Sequence, residues 1–334
     1  MRDFYNLNNY HYGKSSKKAY NRGKSFGYQI LGFGSGVAAA GFPPPQRGIM
    51  AFGNTGSAAN TSRLINTSGV ISADVTGVGT ARTNLQATGF GGDQAIFAYG
   101  LDGAMDADND QTNVSNKVSN VGVVASDTSG VGTARHRLGG CRYGGDKGMF
   151  AFGSNVHTAQ NMKNLVSNTG VVASDAAGVG TARYSLPGTE YGDDLGIFAF
   201  GYAGGNINIS SKVSNTGVVA SDTSGVGTAR RFLAASKYGV GLAIFGYGAD
   251  EFHNVTNKVS NVGVVASDTT GVGTARYDLT CSEYGGDKAV FAFGFDGSSK
   301  VSLSNLVSNV GTVASDTTGV GAGRSAPAGS GYSV

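Results

Sequence analysis

The chain repeats itself at intervals of about fifty residues. A segment reading Gly-Val-Gly-Thr-Ala-Arg, or a close variant, occurs six times, and its arginines are 53, 48, 47, 46 and 48 residues apart. The six arginines are Arg82, Arg135, Arg183, Arg230, Arg276 and Arg324. A period of this length indicates that one supersecondary unit is used six times.

Each repeat reads as strands separated by glycine turns. A short strand such as residues 184–186 follows the arginine, and an aromatic residue comes eight positions after it. After a Gly-rich turn comes an apolar run such as residues 197–200, which is typical of a strand buried on both faces. A variable loop leads to a third strand at 212–215 and a fourth at 218–220, and turn residues separate them. No segment shows helical periodicity.

Six units of four antiparallel strands predict an all-β fold, a six-bladed β-propeller. The first unit begins near residue 47 without a first strand of its own. Residues 325–334 have the length of that strand and carry Tyr332 at the aromatic position. We therefore expect the C-terminal strand to pair with residues 49–52 and close the ring. The predicted propeller covers residues 46–334, behind an N-terminal arm and linker at 1–45.

The order of arginine, short strand, aromatic residue, glycine turn, apolar strand, loop and two further strands resembles kelch repeats. The chain departs from them in having a single glycine such as Gly201 after the apolar strand, and in having no tryptophan. The segments Val-Ser-Asn-Val-Gly-Val-Val-Ala-Ser-Asp and Thr-Gly-Val-Gly-Thr-Ala-Arg resemble kelch-like repeat proteins of tailed phages, especially aquatic ones. The resemblance implies a non-enzymatic structural protein of the virion, in the capsid, tail or tail fibre, made in the host cytoplasm.

An aspartate precedes each repeat arginine by eight residues. These aspartates are Asp74, Asp127, Asp175, Asp222, Asp268 and Asp316. Sialidase-like chemistry also uses clustered arginines, together with a tyrosine nucleophile and carboxylates. An arginine and an aspartate flanking every turn instead favour a repeated structural hydrogen-bond clamp. We therefore expect no catalytic residues and no cofactor.

Metal binding has two candidates in the sequence. Copper oxidases on kelch-type propellers need paired ligands, and the four histidines show no such spacing: His11, His136, His157 and His253. Alternating acidic residues resemble the start of a calcium loop: Asp106, Asp108 and Asp110. Gln111 and Lys117 stand where that loop needs glycine and glutamate. A solvated acidic loop is therefore favoured over a calcium site.

The chain has no apolar run of about 18 residues, so no membrane span is expected. No secretory signal is expected either, because the first residues contain no apolar h-region. Two cysteines, Cys141 and Cys281, are too few for a disulfide framework and are expected to be free thiols packed in the fold.

The loops between the second and third strands vary from repeat to repeat. Strands alternate in direction, so these loops share one face with the aspartate-containing turns. Loops on a rigid scaffold are common binding sites. Recognition of a host-surface glycan and tolerated surface variation are both open interpretations. The candidate recognition residues are Asn109, His157, Asn206, Phe252, His253 and Phe295.

The first thirty residues hold six basic side chains against one acidic side chain, with five tyrosines among them. Such a segment could bind nucleic acid. Docking on another virion subunit, with tyrosines as anchors, is favoured over nucleic-acid binding and over a solvated tail. The candidate docking residues are Tyr5, Tyr10, Tyr12, Lys14, Lys17, Lys18, Tyr20, Arg22, Lys24, Phe26 and Tyr28.

The sequence therefore favours a virion component, present in many copies, whose arm is anchored to capsid or tail subunits and whose propeller faces outward. There it would decorate or stabilise the particle or recognise the host. A carbohydrate-binding adhesin or lectin-like propeller outside any virion is the alternative. An enzyme on a kelch scaffold is the third and least favoured hypothesis.

Overall fold

The structure, a computed structural model, describes residues 44–103 and 110–333. Contacts divide the chain into two units, Met1–Gly41 and Phe42–Val334, and every described residue belongs to the second. The described residues form twenty strands and no helix. The predicted docking arm, with its candidate residues between Tyr5 and Tyr28, lies outside them.

The strands form six antiparallel sheets of three strands each. The first sheet combines β1 (Arg47–Ala51) and β2 (Ser62–Ile65) with β20 (Ala328–Tyr332). The next two are β3 (Gln86–Phe90), β4 (Gln94–Ala98), β5 (Ser115–Val118), and β6 (Gly139–Tyr143), β7 (Lys147–Ala151), β10 (Lys163–Val166). The fourth is β11 (Gly188–Tyr191), β12 (Leu195–Ala199), β13 (Ser210–Val213). The last two are β14 (Ala234–Tyr238), β15 (Leu242–Ala249), β16 (Phe252–Val259), and β17 (Thr280–Tyr284), β18 (Lys288–Ala292), β19 (Ser304–Val307). A short hairpin of β8 (Ser154–Asn155) and β9 (Thr158–Ala159) lies in the third loop.

The two ends of the described chain pair with each other. β1 and β20 are antiparallel, with a register that runs from Arg47 opposite Tyr332 to Ala51 opposite Ala328. The Gln46 N–H extends the ladder by donating to the Ser333 carbonyl at 3.0 Å. The predicted pairing of the C-terminal strand with the first apolar strand is thus confirmed, and it covers an edge of β1 that would otherwise be open.

The first strands of the six sheets follow one another in a cycle. β3, β6, β11, β14, β17 and β20 each contact the next, and β20 contacts β3. A second cycle is formed by the residues two positions after the repeat arginines, here called the inner ring. Each N–H of the inner ring donates to the preceding member's carbonyl at 2.7 to 3.2 Å, and the six bonds close on themselves. Its members are Asn84, Arg137, Ser185, Phe232, Asp278 and Ala326.

The core consists of the middle strands of the sheets and the aromatic residue that ends each apolar run. These six aromatics have φ between 63° and 67°, the left-handed region that side chains rarely adopt. Five of them contact an aromatic ring of the next sheet at 5.2 to 5.6 Å between centroids, in edge-to-face arrangements. They are Phe52, Tyr99, Phe152, Phe200 and Tyr247, and the sixth is Phe293, whose cluster includes Met50. Packing between sheets therefore holds the strained backbone in place.

The structure differs from the prediction in the outer strands. The first strand of the fourth sheet is Gly188–Tyr191 and not 184–186, because Ser185 has φ of 56° and belongs to the inner ring. The predicted fourth strand at 218–220 forms one isolated bridge with β13, Val219 opposite Val213, and no ladder. In the second sheet the Asn116 amide donates to the Ala125 carbonyl at 3.0 Å, so a side chain takes an acceptor on this segment. Each sheet consequently has three strands and an edge segment held by scattered backbone hydrogen bonds and by side chains.

Candidate functional site

Each repeat arginine is buried at the junction of two sheets. Arg230 has no exposed surface, and its guanidinium lies over the Phe200 ring of the preceding sheet at 4.4 Å. Its Nε–H donates to the Tyr247 carbonyl at 2.7 Å, and Nη2 donates to Asn257 Oδ1 at 2.7 Å. Nη1 lies 3.8 Å from Asp268 Oδ1. A single side chain therefore connects one sheet to its neighbour and to the following turn.

This arrangement recurs around the ring, and it corrects the predicted clamp. The arginine does not pair with the aspartate eight residues before it; it pairs with the aspartate of the next turn. The Nη1–Oδ1 distances of four such pairs are 3.3 to 3.8 Å: Arg135–Asp175, Arg183–Asp222, Arg230–Asp268 and Arg276–Asp316. Arg82 donates to Asn116, whose amide donates to Asp127 at 2.8 Å, and Arg324 pairs with Asp74. The clamps therefore join successive turns and close the cycle.

A threonine two positions before the arginine completes five of the clamps. The Thr228 N–H and hydroxyl donate to Asp268 Oδ2 at 2.9 and 2.7 Å. The sixth turn has Ala322 in this position. There Arg63, which replaces the asparagine of most repeats, donates to Asp74 at 2.8 Å and to the Ala322 carbonyl at 2.8 Å. The junction where the chain ends meet is thus built from two arginines on one aspartate.

Electrostatics hold the clamps in their charged forms. Burial lowers the pKa of Arg82, Arg183 and Arg230 to about 10, well above neutral pH. For Asp268, burial raises the pKa, but hydrogen bonds from Thr228 and Asn257 outweigh it and lower the pKa below its usual value. These paired charges are structural, because the guanidinium groups are fully buried between neighbouring sheets.

A cavity of about 360 Å³ lies against the inner ring, on the face that carries the variable loops. We call it the ring pocket. Arg137, Asn84 and Asp278 of the inner ring line it, and so do residues one position after the repeat arginines, such as His136 and Tyr184. Neutral hydrogen-bonding side chains complete the wall: Asn54, Thr83, Ser154 and Ser325. Its volume lies within the range of small-molecule sites, about 300–1,000 Å³.

Several buried polar atoms at or beside the ring pocket have no hydrogen-bond partner within the part of the chain that the structure describes. His136 Nδ1 and Arg137 Nε belong to residues that line the pocket, whereas Arg231 Nε and Ser185 Oγ belong to residues beside that lining. His136 is almost fully buried, at 2% exposure, and lines the pocket. Buried polar groups are usually hydrogen-bonded, so such atoms at a cavity indicate a polar ligand or ordered water.

Charged groups of both signs lie at the ring pocket. Burial raises the pKa of Asp278 to about 6, although Arg137 and Arg231 oppose the shift. Burial also lowers the pKa of His136 to about 4, and the charge of Arg137 adds to the effect. At pH 7 the lining therefore contains the Arg137 guanidinium, the Asp278 carboxylate and the neutral His136 imidazole, and the Arg231 guanidinium lies nearby.

Aromatic rings cluster beside the pocket. Tyr184 contacts Tyr202 at 5.3 Å between ring centroids. Around Tyr277, the rings of Phe232, Phe252 and Phe295 lie 5.5 to 5.7 Å away. Arg137 stacks on Phe232 at 5.0 Å, and Arg231 stacks on Tyr202 at 4.8 Å. The cationic groups are thus held against aromatic faces.

Part of the predicted recognition set lies at or beside the ring pocket. His157 is exposed and lines the ring pocket, while Phe252 and Phe295 belong to the aromatic cluster. Asn206 donates to Asp250 at 2.6 Å and so ties two neighbouring loops together. His253 lies in β16 opposite Gly248. Asn109 lies outside the described residues.

Sequence reasoning missed the residues that form the pocket floor. Arg137, Tyr184 and Asp278 of the lining, and Arg231 beside it, follow the repeat arginine by one or two positions. The pair of residues at these two positions is different in each of the six repeats. Variation directly beside a constant residue was the available signal. The loops between the second and third strands are longer and vary more, so they mask this signal.

The opposite end of the inner strands carries a buried charge cluster, which also went unpredicted. Lys237 Nζ lies 3.1 Å from Glu190 Oε2, and burial raises the pKa of Glu190. Arg142 donates to the Gly331 carbonyl at 2.9 Å, and the Gly331 N–H donates to Glu283 at 2.6 Å. Two basic and two acidic side chains thus fill this end around Gly331 of β20.

The calcium candidate stays a prediction. Asp106 and Asp108 lie outside the described residues, and the Asp110 carbonyl accepts from the Asp102 N–H at 2.8 Å. Within the described ranges no group of three or more His, Cys, Asp or Glu side chains could hold a metal ion. Cys141 and Cys281 are free and buried, as predicted, and burial raises the pKa of both thiols.

No protein-family model matches the sequence, and no curated protein matches it. Within residues 44–103 and 110–333, no helix could cross a membrane.

Proposed function

We propose that the described residues form a six-bladed β-propeller that serves as a rigid, non-enzymatic display and binding module. The observation that carries this proposal is the inner ring, whose six backbone hydrogen bonds close on themselves beside the β1–β20 pairing. Six sheets in cyclic contact, each clamped to the next by a buried arginine, are the arrangement expected of propeller blades.

We further propose that this module is a structural protein of a tailed-phage virion. The resemblance of its repeat phrases to kelch-like phage proteins supports this location. So does the rigidity of the clamps, because a scaffold repeated many times on a particle must keep its shape. The basic, tyrosine-rich arm would dock on capsid or tail subunits and leave the variable loops facing outward.

Deleting residues 1–30 tests the virion proposal. Virus particles assembled with the truncated protein are expected to lose it, as measured by mass spectrometry of purified particles. The truncated protein alone should melt at the same temperature as the full chain. Particles that retain the truncated protein at full copy number would refute docking through the arm.

The ring pocket favours a second candidate, a carbohydrate-binding, lectin-like propeller that need not belong to a virion. Asp278 is the one carboxylate among the described lining residues, whereas glycoside hydrolysis generally uses two. The arrangement therefore fits binding better than cleavage. Deletion of the arm would leave the binding of such a lectin unchanged, and this separates it from a virion component whose role depends on anchoring.

A further inference from the structure

We infer that the ring pocket binds the carboxylated sugar residue of an acidic glycan. This inference deepens the proposed binding role and rests on the closed ring, but it is independent of the proposed virion location. It follows from three features of the pocket: a cationic floor, a wall of neutral hydrogen-bonding groups, and aromatic rings at one side.

The floor selects a negative charge. Arg137 and the single carboxylate Asp278 line the pocket, and Arg231 lies beside them, close enough to oppose the raised pKa of Asp278. The Nε atoms of both arginines are buried without a partner in the described structure. Guanidinium groups recognise carboxylates through paired hydrogen bonds that are about twice as strong as neutral ones. Stacking on Phe232 and Tyr202 fixes the orientation of both groups before a ligand enters.

The wall selects hydroxyl groups. Asn84, Thr83, Ser154 and Ser325 offer amide and hydroxyl groups that both donate and accept. The buried Nδ1 atom of His136 adds a further position without a partner among the described residues. Such groups match a molecule with one carboxylate and several hydroxyls better than they match a simple anion.

The aromatic side accommodates the apolar face of a sugar ring. Tyr184 lines the pocket and contacts Tyr202, and both rings are partly exposed. Tyrosine combines an apolar ring face with a polar hydroxyl, which suits a ligand that is apolar on its faces and polar at its edges. An acidic sugar is therefore the ligand class that uses all three features.

Isothermal titration of the full chain with D-galacturonate, D-glucuronate and N-acetylneuraminate tests this inference, with D-galactose as the neutral control. At least one acidic sugar should bind at one site per chain, and galactose at least tenfold more weakly. The variants Arg137→Gln and Arg231→Gln should each weaken binding by roughly tenfold or more, since hydrogen bonds to charged groups contribute about 1.5–3 kcal/mol. Lys212→Gln on β13, outside the pocket, should bind like the unmodified protein.

Four results would overturn the inference: no binding of any acidic sugar at millimolar concentration, equal binding of galactose, equal binding of acetate, or unchanged binding by both arginine variants. Thermal melting of each variant checks that the ring is intact. Absent binding by a protein with an intact ring refutes the ligand assignment alone. Failure of the ring itself would be detected separately, because a disulfide between Ala51→Cys and Ala328→Cys would then not form.

Discussion

Removing one clamp arginine should destabilise the fold far more than removing its partly exposed neighbour. Arg230→Ala deletes a fully buried guanidinium and leaves the Tyr247 carbonyl and Asn257 Oδ1 without their donor. It also leaves Asp268 without its basic partner. Breaking a buried charge pair by removing one member costs about 3–5 kcal/mol. Since domains of about 150–250 residues lose roughly 2–4 °C per kcal/mol, the melting temperature should fall by roughly 10 °C.

The matched control is Arg231→Ala, one residue later. Arg231 is partly exposed and stacks on Tyr202, so its removal should lower the melting temperature by less than about 3 °C. Circular dichroism melts of both variants provide the measurement. If Arg230→Ala does not fold, Arg230→Lys keeps the charge but loses the planar fork, and should melt between the two. Equal melting of the Arg230→Ala and Arg231→Ala variants would refute the clamp as a source of stability.

Three further predictions concern buried charges. The clamp aspartates have lowered pKa values, so the stability they contribute is present above about pH 4 and is lost as pH falls below it. Asp268→Asn should therefore reduce the fall of melting temperature between pH 5 and pH 2. An unchanged slope of melting temperature against pH would contradict this. Asp278 has its pKa raised to about 6, so its carboxylate costs stability as pH rises from about 4 through 6. In urea titrations, the free energy of unfolding of Asp278→Asn relative to the unmodified protein should be about 2 kcal/mol higher at pH 8 than at pH 4. An equal difference between the two proteins at both pH values would argue against a titrating carboxylate. Lys237→Met leaves Glu190 buried without its 3.1 Å partner and should lower the free energy of unfolding by about 3–5 kcal/mol at pH 8. The double variant Lys237→Met/Glu190→Gln should recover much of this loss. A single variant as stable as the original protein would show that the pair does not stabilise the fold.

The sequence was most informative about the buried middle strands and about the chain ends. The apolar run at 197–200 corresponds to β12, because glycine turns and aromatic residues mark both its limits. The pairing of β1 with β20 was predictable because one repeat lacked a strand and the C-terminus supplied one. Both signals can be read from a single segment or by comparing one repeat with the next.

The partners of the clamps could not be read from the sequence. Asp222 stands eight residues before Arg230 and 39 residues after Arg183, and it pairs with Arg183 at 3.3 Å. Each repeat arginine has one aspartate eight residues before it and another in the following turn, and sequence spacing favours the first. Which aspartate it contacts is decided by how neighbouring sheets pack. The edge segment at 218–220 was also unpredictable, because its extended residues look like a strand although they form one isolated bridge and no ladder.

The ring pocket depends on a further level of organisation. Arg137, Arg231 and Asp278 are far apart in sequence and meet because the inner ring brings equivalent positions of different repeats together. A single repeat would never show this cluster. The cluster becomes visible when the same position is compared across all six repeats.

A disulfide between the chain ends tests the central claim most directly. Ala51 and Ala328 face each other across β1 and β20, and directly opposed residues of antiparallel strands have Cα atoms about 4.5–5.5 Å apart, within the range of a disulfide. In a Cys141→Ala/Cys281→Ala background, Ala51→Cys with Ala328→Cys should link within one chain under mild oxidation and raise the melting temperature. Ala51→Cys with Ala199→Cys, the equivalent position of the fourth sheet, should remain reduced. A folded protein in which the first pair fails to link, or in which both pairs link equally, would contradict a ring closed by the two ends of the chain.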